Sequence, residues 1–476
     1  MSLGERYMER LNDGRKVWLG EQSVDRIARH PAFAATARLI ASMLDRQEEP
    51  GTMDLLTYKV EDKQRAHMAF LVPESKEDLF RRHQAFRFDP DETFGMADGP
   101  SQYIRSVLTG HYAARHDSGL GSEYASKLEA YYKHVRDRDL ICAAASGDPQ
   151  SRAATAGETG PGLRIVRETK EGIIVSGARM AATNAPYADE ILVSFHDPGS
   201  RFSRRTDSPM FAVSTCTPGL HIVCRESIRS GERDDAPVSA RFAEMDAVLV
   251  FDEVLVSWDR VFVKNDPEAL HRLWRSPAGS ALGRHQAVVR LFGHLEFIAA
   301  VGHALVSASE TKTLLHIQEK MGELMIQLET LKGLLVAAEH PSRPSYDRVW
   351  LPDEQPLRTA CSLGARFYPR AIEIVRQIGA DSLLQRPARL ADFGGPVGHF
   401  LREYYGGTDR DAFSRTKLVK LAWDLVGSPL AARRTLYEQF LWGDPVQGYA
   451  DHYETYPIET LTEPVWRLVH ANSKPS

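Results

Sequence analysis

Cysteine is scarce in this chain of 476 residues, and the few present are scattered. The four cysteines are Cys142, Cys216, Cys224 and Cys361, and no two of them form a CxxC pair. Structural zinc sites and disulfide frameworks need cysteines at regular, close spacings. The sequence therefore argues against both and favours a reducing compartment. We expect a cytoplasmic protein that binds no metal.

The chain also lacks an excess of basic charge and a long apolar run. It has 59 Lys and Arg against 64 Asp and Glu, a formal net charge of -5. Nucleic-acid binding needs a basic footprint, which this balance does not provide. No stretch approaches the 18 or so apolar residues of a membrane span, and residues 1–6 are too charged for a secretory signal. We expect no nucleic-acid or membrane partner.

Generic catalytic motifs are missing as well. There is no Walker loop, no GxSxG, no HExxH and no EF-hand. The single GxG, at Gly119 and Gly121, lacks the third glycine of a dinucleotide loop. His111 and His116 are five residues apart and would not share one face of a helix. These patterns alone assign no activity.

What the sequence does contain is a division into three regions. Residues 1–144 have mostly helical periodicity, residues 145–275 contain short β-prone runs separated by Gly, Pro, Asp and Ser, and residues 276–476 are helical again. This order predicts an α+β fold, mainly α. An N-terminal helical domain would precede a middle antiparallel β-sandwich or barrel and a C-terminal helical bundle.

Two local patterns make this prediction more specific. The stretch Lys170-Glu171-Gly172 between two β-prone runs predicts a hairpin turn. Apolar residues from Leu314 to Leu335 alternate spacings of three and four, and Pro341 follows them. That 3.5-residue period favours one long helix packed in a bundle or across a subunit interface.

Several longer strings, taken in chain order, resemble one family. They include Asp148-Pro149-Gln150, Gly177-Ala178-Arg179-Met180, Phe251-Asp252-Glu253-Val254, Lys417-Leu418-Val419-Lys420 and Gly443-Asp444-Pro445. Together they are similar to the 4-hydroxyphenylacetate 3-monooxygenase oxygenase component, the large subunit of two-component flavin hydroxylases. The resemblance extends over nearly the whole chain.

This resemblance implies an acyl-CoA dehydrogenase-like fold, in which the C-terminal domain is a four-helix bundle, and, usually, a homotetramer. It implies that the cofactor is FAD, held loosely as FADH2 and supplied by a separate NAD(P)H-dependent flavin reductase. The reduced flavin and O2 would form a C4a-hydroperoxyflavin that hydroxylates a small aromatic substrate, phenolic or heteroaromatic. The cofactor carries the hard chemistry, while the protein orients the reactants and excludes water.

The resemblance also implies a flavin site. In the family, a Thr at the end of the Gly-Ala-Lys/Arg run bonds the flavin, and Thr183 holds that place; the alternative is a strand-end hydroxyl that caps a turn. Arg152 suits a pyrophosphate, because a guanidinium makes bidentate phosphate contacts. The family's flavin-lining stretch around Asp-Pro-Gln corresponds here to Ala145, Ser146, Gln150, Ser151 and Arg152.

Three further segments complete the implied cofactor site. Arg290 lies on a helix where a cofactor-binding arginine is expected, with a surface ion pair as the alternative. A turn by which the neighbouring subunit approaches flavin is matched by Gln377, Gly379 and Ala380. Gly379 would allow close backbone approach there, and a helix C-cap is a compatible interpretation. The C-terminal flavin-contacting segment is matched by Trp442, Gly443, Asp444 and Pro445.

The substrate site departs from the family. Relatives carry an Arg and a Tyr that bind the phenol oxygen. Here Tyr103 remains, but Gly99 stands in place of the Arg. Ala144 stands where relatives have a His that bonds the same oxygen. The expected substrate site is therefore Gly99, Pro100, Tyr103 and Ala144, with Tyr103 as the catalytic residue. Because two phenol ligands are missing, we expect a substrate other than plain 4-hydroxyphenylacetate.

Two alternatives stay open at this point. One is a flavoprotein of acyl-CoA dehydrogenase type with the same fold but no oxygenase activity. The other is a catalytically degenerate flavin-binding protein that lost its activity together with the Arg and the His.

Overall fold

The computed structural model describes most of the chain. The described ranges are 1–61, 64–94, 101–149, 162–195, 209–229, 231–275, 277–309, 311–340, 343–344, 349–406 and 411–471. Five residues that the sequence assigns to the substrate or cofactor site lie outside these ranges: Gly99, Pro100, Gln150, Ser151 and Arg152.

The N-terminal region is helical, as its periodicity predicts. Its helices are α1 (Leu3–Arg10), α2 (Ala34–Asp45), α3 (Met53–Leu56), α4 (Lys76–Thr93), α5 (Gln102–Ala113) and α6 (Gly121–Asp137). Ser2 and Glu5 form a capping box at the start of α1, which satisfies two backbone N–H groups. In α2 the buried side chains recur at helical spacing, for example Ala37, Ile40 and Leu44, and this face packs onto the protein core.

The strands form two main sheets. They are β1 (Lys16–Leu19), β2 (Gln22–Ser23), β3 (Thr57–Lys59), β4 (Arg65–His67), β5 (Cys142–Ala145), β6 (Arg164–Glu168), β7 (Gly172–Thr183), β8 (Glu190–Val193), β9 (Met210–Ser214), β10 (Leu220–Cys224), β11 (Asp246–Ser257) and β12 (Val261–Val263). One sheet has the order β2-β1-β10-β11-β7-β6 and the other the order β12-β9-β8-β5. Strands β3 and β4 pair separately.

The predicted hairpin is confirmed. Strands β6 and β7 are antiparallel, and the turn between them is closed by a hydrogen bond from the N–H of Thr169 to the carbonyl of Gly172. Two pairs within the main sheets are parallel instead, β1 with β10 and β5 with β8. Both recruit a strand from the N-terminal region, and such distant segments need not pair antiparallel as hairpin neighbours do.

Strand β5 crosses the predicted boundary between the first two domains. The proposed boundary between residues 144 and 145 falls inside this strand, and β1 joins the larger sheet from still earlier in the chain. The division into residues 1–144, 145–275 and 276–476 stays a prediction.

The C-terminal region is a helical bundle. After the short α7 (Ser239–Phe242) come α8 (Pro267–Arg275), α9 (Pro277–Ala308), α10 (Leu315–Glu339), α11 (Glu354–Leu384), α12 (Gly398–Tyr404), α13 (Ala412–Val426), α14 (Pro429–Phe440), α15 (Pro445–Thr455) and α16 (Glu459–Ala471). Between α10 and α11 lies a small hairpin of β13 (Arg343–Pro344) and β14 (Trp350–Leu351).

Helix α9 is the centre of the bundle. Among the described helices it is the one long and apolar enough to cross a membrane, with a mean hydropathy of 1.4 over an 18-residue window within Ala278–Ala308. Of that window 61% is buried inside the protein, as expected for the core helix of a large bundle.

The long helix predicted from the 3.5-residue period is α10. Its buried residues Ile317, Leu324 and Leu331 follow one another at intervals of seven, and Leu324 and Leu331 belong to the hydrophobic core of the bundle. The opposite face remains apolar in part, because Leu315 and Ile326 are 80% and 68% exposed.

Candidate functional site

A cavity lies where the N-terminal helices, the ends of strands β5 and β7, and helix α14 meet. Its volume is about 150 Å³. The lining residues that are polar or that the sequence assigns to a site are Thr36, Ser101, Gln102, Tyr103, Ala144, Thr183, Asn184, Glu244 and Tyr437. Three residues that the sequence assigns to the substrate or the flavin, Tyr103, Ala144 and Thr183, are thus brought to one cavity.

Tyr103 stands between this cavity and a second one. The second cavity, of about 110 Å³, is also lined by Trp442 and Arg284. The ring of Tyr103 meets that of Trp442 edge-on, with centroids 5.9 Å apart. On its other side it rests against helix α9 at Gly283, where a Cβ atom would lie only 3.3 Å from Cε2 of the tyrosine. The ring is therefore held in place by its neighbours.

Strand β5 brings Ala144 to the cavity. The next residue, Ala145, is 1% exposed and belongs to the hydrophobic core of the β domain. Ser146 follows and is also buried. Because Ala145 faces the core, any contact of this residue with a cofactor would have to involve its backbone.

Thr183 ends strand β7 in a network of charged groups. Its hydroxyl donates to Asp246 at 2.7 Å and accepts from Nη2 of Arg433 at 3.3 Å. Burial by itself raises the pKa of Asp246, but hydrogen bonds and charges from Arg433 and Arg225 outweigh burial and hold that pKa well below its usual range. The hydroxyl thus joins β7 to β11 and α14 rather than capping a turn.

Glu244 lies just before β11 and lines the same cavity. It is 3% exposed, and its Oε2 forms an ion pair with Arg433. Its Oε1 is buried and has no hydrogen-bond partner in the described part of the chain. A buried carboxylate oxygen without a donor is rare in folded proteins.

Arg290 forms a bidentate ion pair with Glu438. The two N–O distances are 2.8 and 3.1 Å, and both side chains are 3% exposed. The alternative of a surface ion pair is therefore wrong, because this pair is buried in the bundle. The guanidinium also lies 5.4 Å from the ring centroid of Tyr437, a residue that lines the cavity. Arg290 thus supports the cavity wall from behind.

The segment from Gln377 to Ala380 interrupts helix α11. Ala380 has φ 37° and ψ -126°, a backbone conformation that residues other than glycine rarely adopt. Gly379 is buried against Leu383, and a Cβ atom at this position would collide with the leucine side chain. Gln377 and Ala380 are exposed, and none of the three lines the cavity around Tyr103. Their role toward a neighbouring subunit stays a prediction.

The segment from Trp442 to Pro445 starts helix α15. Asp444 is the N-cap and accepts from the N–H of Val446 at 2.9 Å, and Pro445 follows at the first helical position. Gly443 has φ 83°, which glycine adopts without strain. This geometry turns the chain so that Trp442 can meet Tyr103.

Sequence reasoning missed four residues that shape the cavity: Glu244, Asp246, Arg433 and Tyr437. The signals were weak. Glu244 stands just before strand β11 and Asp246 begins it, while Arg433 and Arg434 are adjacent on α14. Charged residues in such arrangements are common on protein surfaces. Only the packing of α14 against the ends of β7 and β11 brings their charges together.

Comparisons with known proteins agree with this architecture. Two family models match, described as 4-hydroxyphenylacetate 3-hydroxylase N terminal over residues 3–263 and C terminal over residues 271–470. The chain is 35% identical to the 4-hydroxyphenylacetate 3-monooxygenase oxygenase component of Thermus thermophilus, over 97% of this chain and 95% of that one.

Two further relatives extend the comparison. The chain is 29% identical to a Streptomyces globisporus monooxygenase of (3S)-3-amino-3-(3-chloro-4-hydroxyphenyl)propanoyl-[peptidyl-carrier protein SgcC2], over 96% of this chain and 86% of the relative. A crystal structure of a 4-hydroxyphenylacetate 3-monooxygenase oxygenase component with FAD and 4-hydroxyphenylacetate superposes with a TM-score of 0.92 at 34% identity, covering 98% of both chains.

The fold and the matches define a class of protein, the flavin-dependent oxygenases that hydroxylate aromatic rings. The chain belongs to the 4-hydroxyphenylacetate 3-hydroxylase family. The resemblance inferred from the sequence and the predicted helix–β–helix fold are both confirmed.

The buried pair of Arg290 and Glu438 gives a testable prediction on stability. Burial raises the pKa of Glu438, but Arg290 and His294 outweigh burial and lower it to about 2. A lowered carboxyl pKa stabilises the fold above the unfolded value near 4.5, and that stability is lost as the pH falls toward 2. Glu438→Gln should cost roughly 3–5 kcal/mol at pH 7.

Denaturant unfolding at several pH values checks this. The difference between wild type and Glu438→Gln should shrink as the pH falls below about 4.5. Glu463→Gln is the control, since its pair with Arg467 is more than 70% exposed on both sides, and it should change the free energy of unfolding by less than about 1 kcal/mol. Equal effects of the two variants would contradict the prediction.

Proposed function

We propose that this protein is the oxygenase component of a two-component monooxygenase that uses reduced FAD and O2 to hydroxylate an aromatic substrate other than plain 4-hydroxyphenylacetate. The observation that carries the proposal is the cavity where Tyr103, Ala144 and Thr183 meet. We further propose a transient NAD(P)H-dependent flavin reductase as partner and a cytoplasmic location. The four cysteines, all free thiols, favour that location.

The residues present fit a flavin. The Thr183 hydroxyl donates one hydrogen bond and accepts another within the protein, which leaves a lone pair for a flavin ring N–H. The cavity walls from α2, α5 and β5 are largely apolar, as expected for a site that must stay dry. When bound, reduced FAD would supply the two electrons that activate O2, and O2 would supply the transferred oxygen atom.

The chain's own residues then position the ring and exclude water. Tyr103 can both donate to and accept from a polar group on the substrate, because a phenolic hydroxyl does both. Its ring is fixed between Trp442 and helix α9, so the hydroxyl is oriented before a substrate arrives. Such preorganisation reduces the cost of aligning the reactants.

The two alternatives explain less of the site. If the protein were a flavoprotein of acyl-CoA dehydrogenase type, Tyr103 would have no function in the cavity that it shares with Ala144 and Thr183. A degenerate flavin binder would not need the tyrosine ring held from two sides. Oxygenation assays decide between the three, since only a monooxygenase incorporates oxygen from O2 into a ring.

The altered substrate site leads to a prediction on specificity. With Gly99 and Ala144 in place of an Arg and a His, the described cavity offers no imidazole to a phenolate. 4-Hydroxyphenylacetate should therefore give mostly hydrogen peroxide rather than catechol when a flavin reductase supplies reduced FAD. Product and peroxide measured together check this, and tightly coupled hydroxylation of this substrate would contradict it.

Tyr103→Phe tests the tyrosine in the same assay. For any ring substrate that the enzyme hydroxylates, the variant should lower the ratio of product to peroxide by about tenfold, the effect of one lost hydrogen bond to a reacting group. Tyr112→Phe is the control, because Tyr112 lies on the same helix but stacks on Tyr132, with ring centroids 3.9 Å apart. A similar loss in both variants would show that the effect is structural.

A further prediction concerns the cofactor. Reduced FAD should bind more tightly than oxidised FAD, because the oxygenase must capture it from a reductase and release it after turnover. Thr183→Ala should weaken the binding of reduced FAD by about 0.5–1.5 kcal/mol. Thr169→Ala, in the β6–β7 hairpin, is the control and should leave this binding unchanged. Anaerobic titration measures both; equal affinity for the two redox states would count against the proposal.

We also propose that the protein is a homotetramer. Helix α10 exposes Leu315 and Ile326 on the face turned away from its own bundle, and Val336 is 56% exposed. An apolar stripe of this kind commonly marks a contact between protein chains. Light scattering should give four times the 53.3 kDa of one chain. A stable monomer at micromolar concentration would refute this.

A further inference from the structure

A cluster of two histidines and one glutamate lies where three helices meet, and none of the three lines either cavity beside Tyr103. His83 belongs to α4, His285 to α9, and Glu339 ends α10. Each offers one ligand atom, and these atoms all lie within 4.8 Å of one another. Among the described residues this is the one group of three His, Cys, Asp or Glu side chains close enough to share a metal ion.

The imidazole of His285 is buried with little polar compensation. Its side chain is 0% exposed, and its Nε2 lies 2.7 Å from Oε1 of Glu339. Its Nδ1, on the other side of the ring, has no hydrogen-bond partner in the described part of the chain. One hydrogen bond offsets only part of the cost of burying a polar ring. A stronger bond at Nε2, such as a bond to a metal ion, would offset more of that cost.

The spacing of the atoms is close to that of neighbouring ligands around a metal ion. In an octahedral ion, bonds of about 2.0–2.2 Å at right angles place neighbouring ligand atoms about 3 Å apart. Oε1 of Glu339 lies 2.6 Å from Nδ1 of His83 and 2.7 Å from Nε2 of His285. Small side-chain rotations would open these distances by the few tenths of an ångström required.

An ion can reach the cluster from solvent. The side chains of His83 and Glu339 are 22% and 20% exposed, whereas His285 forms the buried floor of the cluster. Three protein ligands would leave the remaining coordination positions to water, as is common for sites of two imidazoles and one carboxylate. The cluster is therefore half-buried and accessible, and it does not require the helices to separate before an ion enters.

The donor atoms define the class of ion. Imidazole nitrogen suits the divalent ions of the first transition row, whereas Ca²⁺ and Mg²⁺ take oxygen ligands. Two of the three ligands are imidazoles, so the cluster favours the first group. The expectation that the protein binds no metal was drawn from its scattered cysteines, and this cluster contains no cysteine.

We propose that Nδ1 of His83, Nε2 of His285 and the carboxylate of Glu339 bind one divalent first-row transition-metal ion, such as Zn²⁺ or Co²⁺. The ion joins α4, α9 and α10. Helix α9 supports the ring of Tyr103 at Gly283, two residues before His285, so an ion at His285 also fixes the helix behind that ring. Binding of the ion requires neither flavin nor O2, and the proposal is therefore independent of the proposed function.

Metal titration of the full, untagged chain tests the proposal. After removal of metals with a chelator, calorimetry should show one saturable Zn²⁺ site per chain, and Mg²⁺ should not compete for it. The unfolding temperature should rise with Zn²⁺ concentration, because an ion that binds the folded chain stabilises it by mass action. Absence of a saturable site would overturn the proposal and leave the cluster as a carboxylate hydrogen-bonded to two imidazoles.

Co²⁺ reports which atoms bind the ion. Its visible spectrum should be that of an ion with nitrogen and oxygen ligands, without the near-ultraviolet charge-transfer band of a thiolate. That band would assign the ion to a cysteine, of which Cys216 is the exposed one in the chain, and would overturn the proposal.

Glutamine variants separate metal ligation from hydrogen bonding. The amide of Gln still donates N–H bonds to Glu339, but its nitrogen offers no lone pair to a metal. His83→Gln and His285→Gln should each weaken Zn²⁺ binding by more than the roughly 10–100-fold that loss of an outer partner of a metal ligand costs. His303→Gln is the control, because His303 is an exposed histidine on the same helix as His285, and it should leave Zn²⁺ binding unchanged.

Thermal unfolding with chelator and with Zn²⁺ completes the test. Wild type and His303→Gln should be stabilised by Zn²⁺, and the two ligand variants should not. Because His83 is partly exposed, His83→Gln remains informative if His285→Gln does not fold. Equal stabilisation of His83→Gln and wild type would place the ion elsewhere on the chain and overturn the proposal. An enzyme that binds Zn²⁺ at this cluster but hydroxylates no ring would refute the proposed function alone.

Discussion

The cavity depends on one arginine. Arg433, on helix α14, binds Glu244 and Asp246 at the start of β11 and the hydroxyl of Thr183 at the end of β7. These contacts join the C-terminal bundle to two strands of the β domain at the place where the cavity opens. Removing the guanidinium would leave the buried Glu244 without its close ion-pair partner, while Asp246 would keep Arg225. Leaving a buried carboxylate uncompensated is among the most destabilising changes in a protein interior.

The same helix is held on its other side. Arg290 and Glu438 pair between α9 and α14, and Asp424 on α13 accepts hydrogen bonds from the backbone N–H groups of Val238 and Ser239 at 2.8 Å each. The bundle is therefore attached to the remainder of the chain by buried polar contacts with defined geometry. Apolar packing alone would allow α14 to slide, whereas these contacts fix where Tyr437 and Glu244 stand.

The sequence predicted the elements better than it predicted the site. The hairpin at Lys170 to Gly172 and the long helix α10 follow from local spacing, because a turn or a heptad is encoded within a few residues. The parallel pairings of β1 with β10 and of β5 with β8 could not be predicted in this way, since the two strands of each pair lie far apart along the chain.

The residues of the candidate site show the same difference between local patterns and contacts of distant segments. Tyr103, Ala144 and Thr183 could be selected from the sequence because they occupy matched positions in short strings, and the structure brings them to one cavity. Glu244 and Arg433 were missed because each looks like a surface charge until α14 packs against β11. Arg290 was selected as a candidate, but its partner Glu438 was not, because an ion pair across 148 positions leaves no pattern in sequence.

These charged contacts also explain how a family site can change its chemistry with few substitutions. The ion pairs around Arg433 hold Thr183 and the wall of α14 whatever lies opposite them. Exchanging an imidazole for the methyl group of Ala144 then alters only the groups that face the ring.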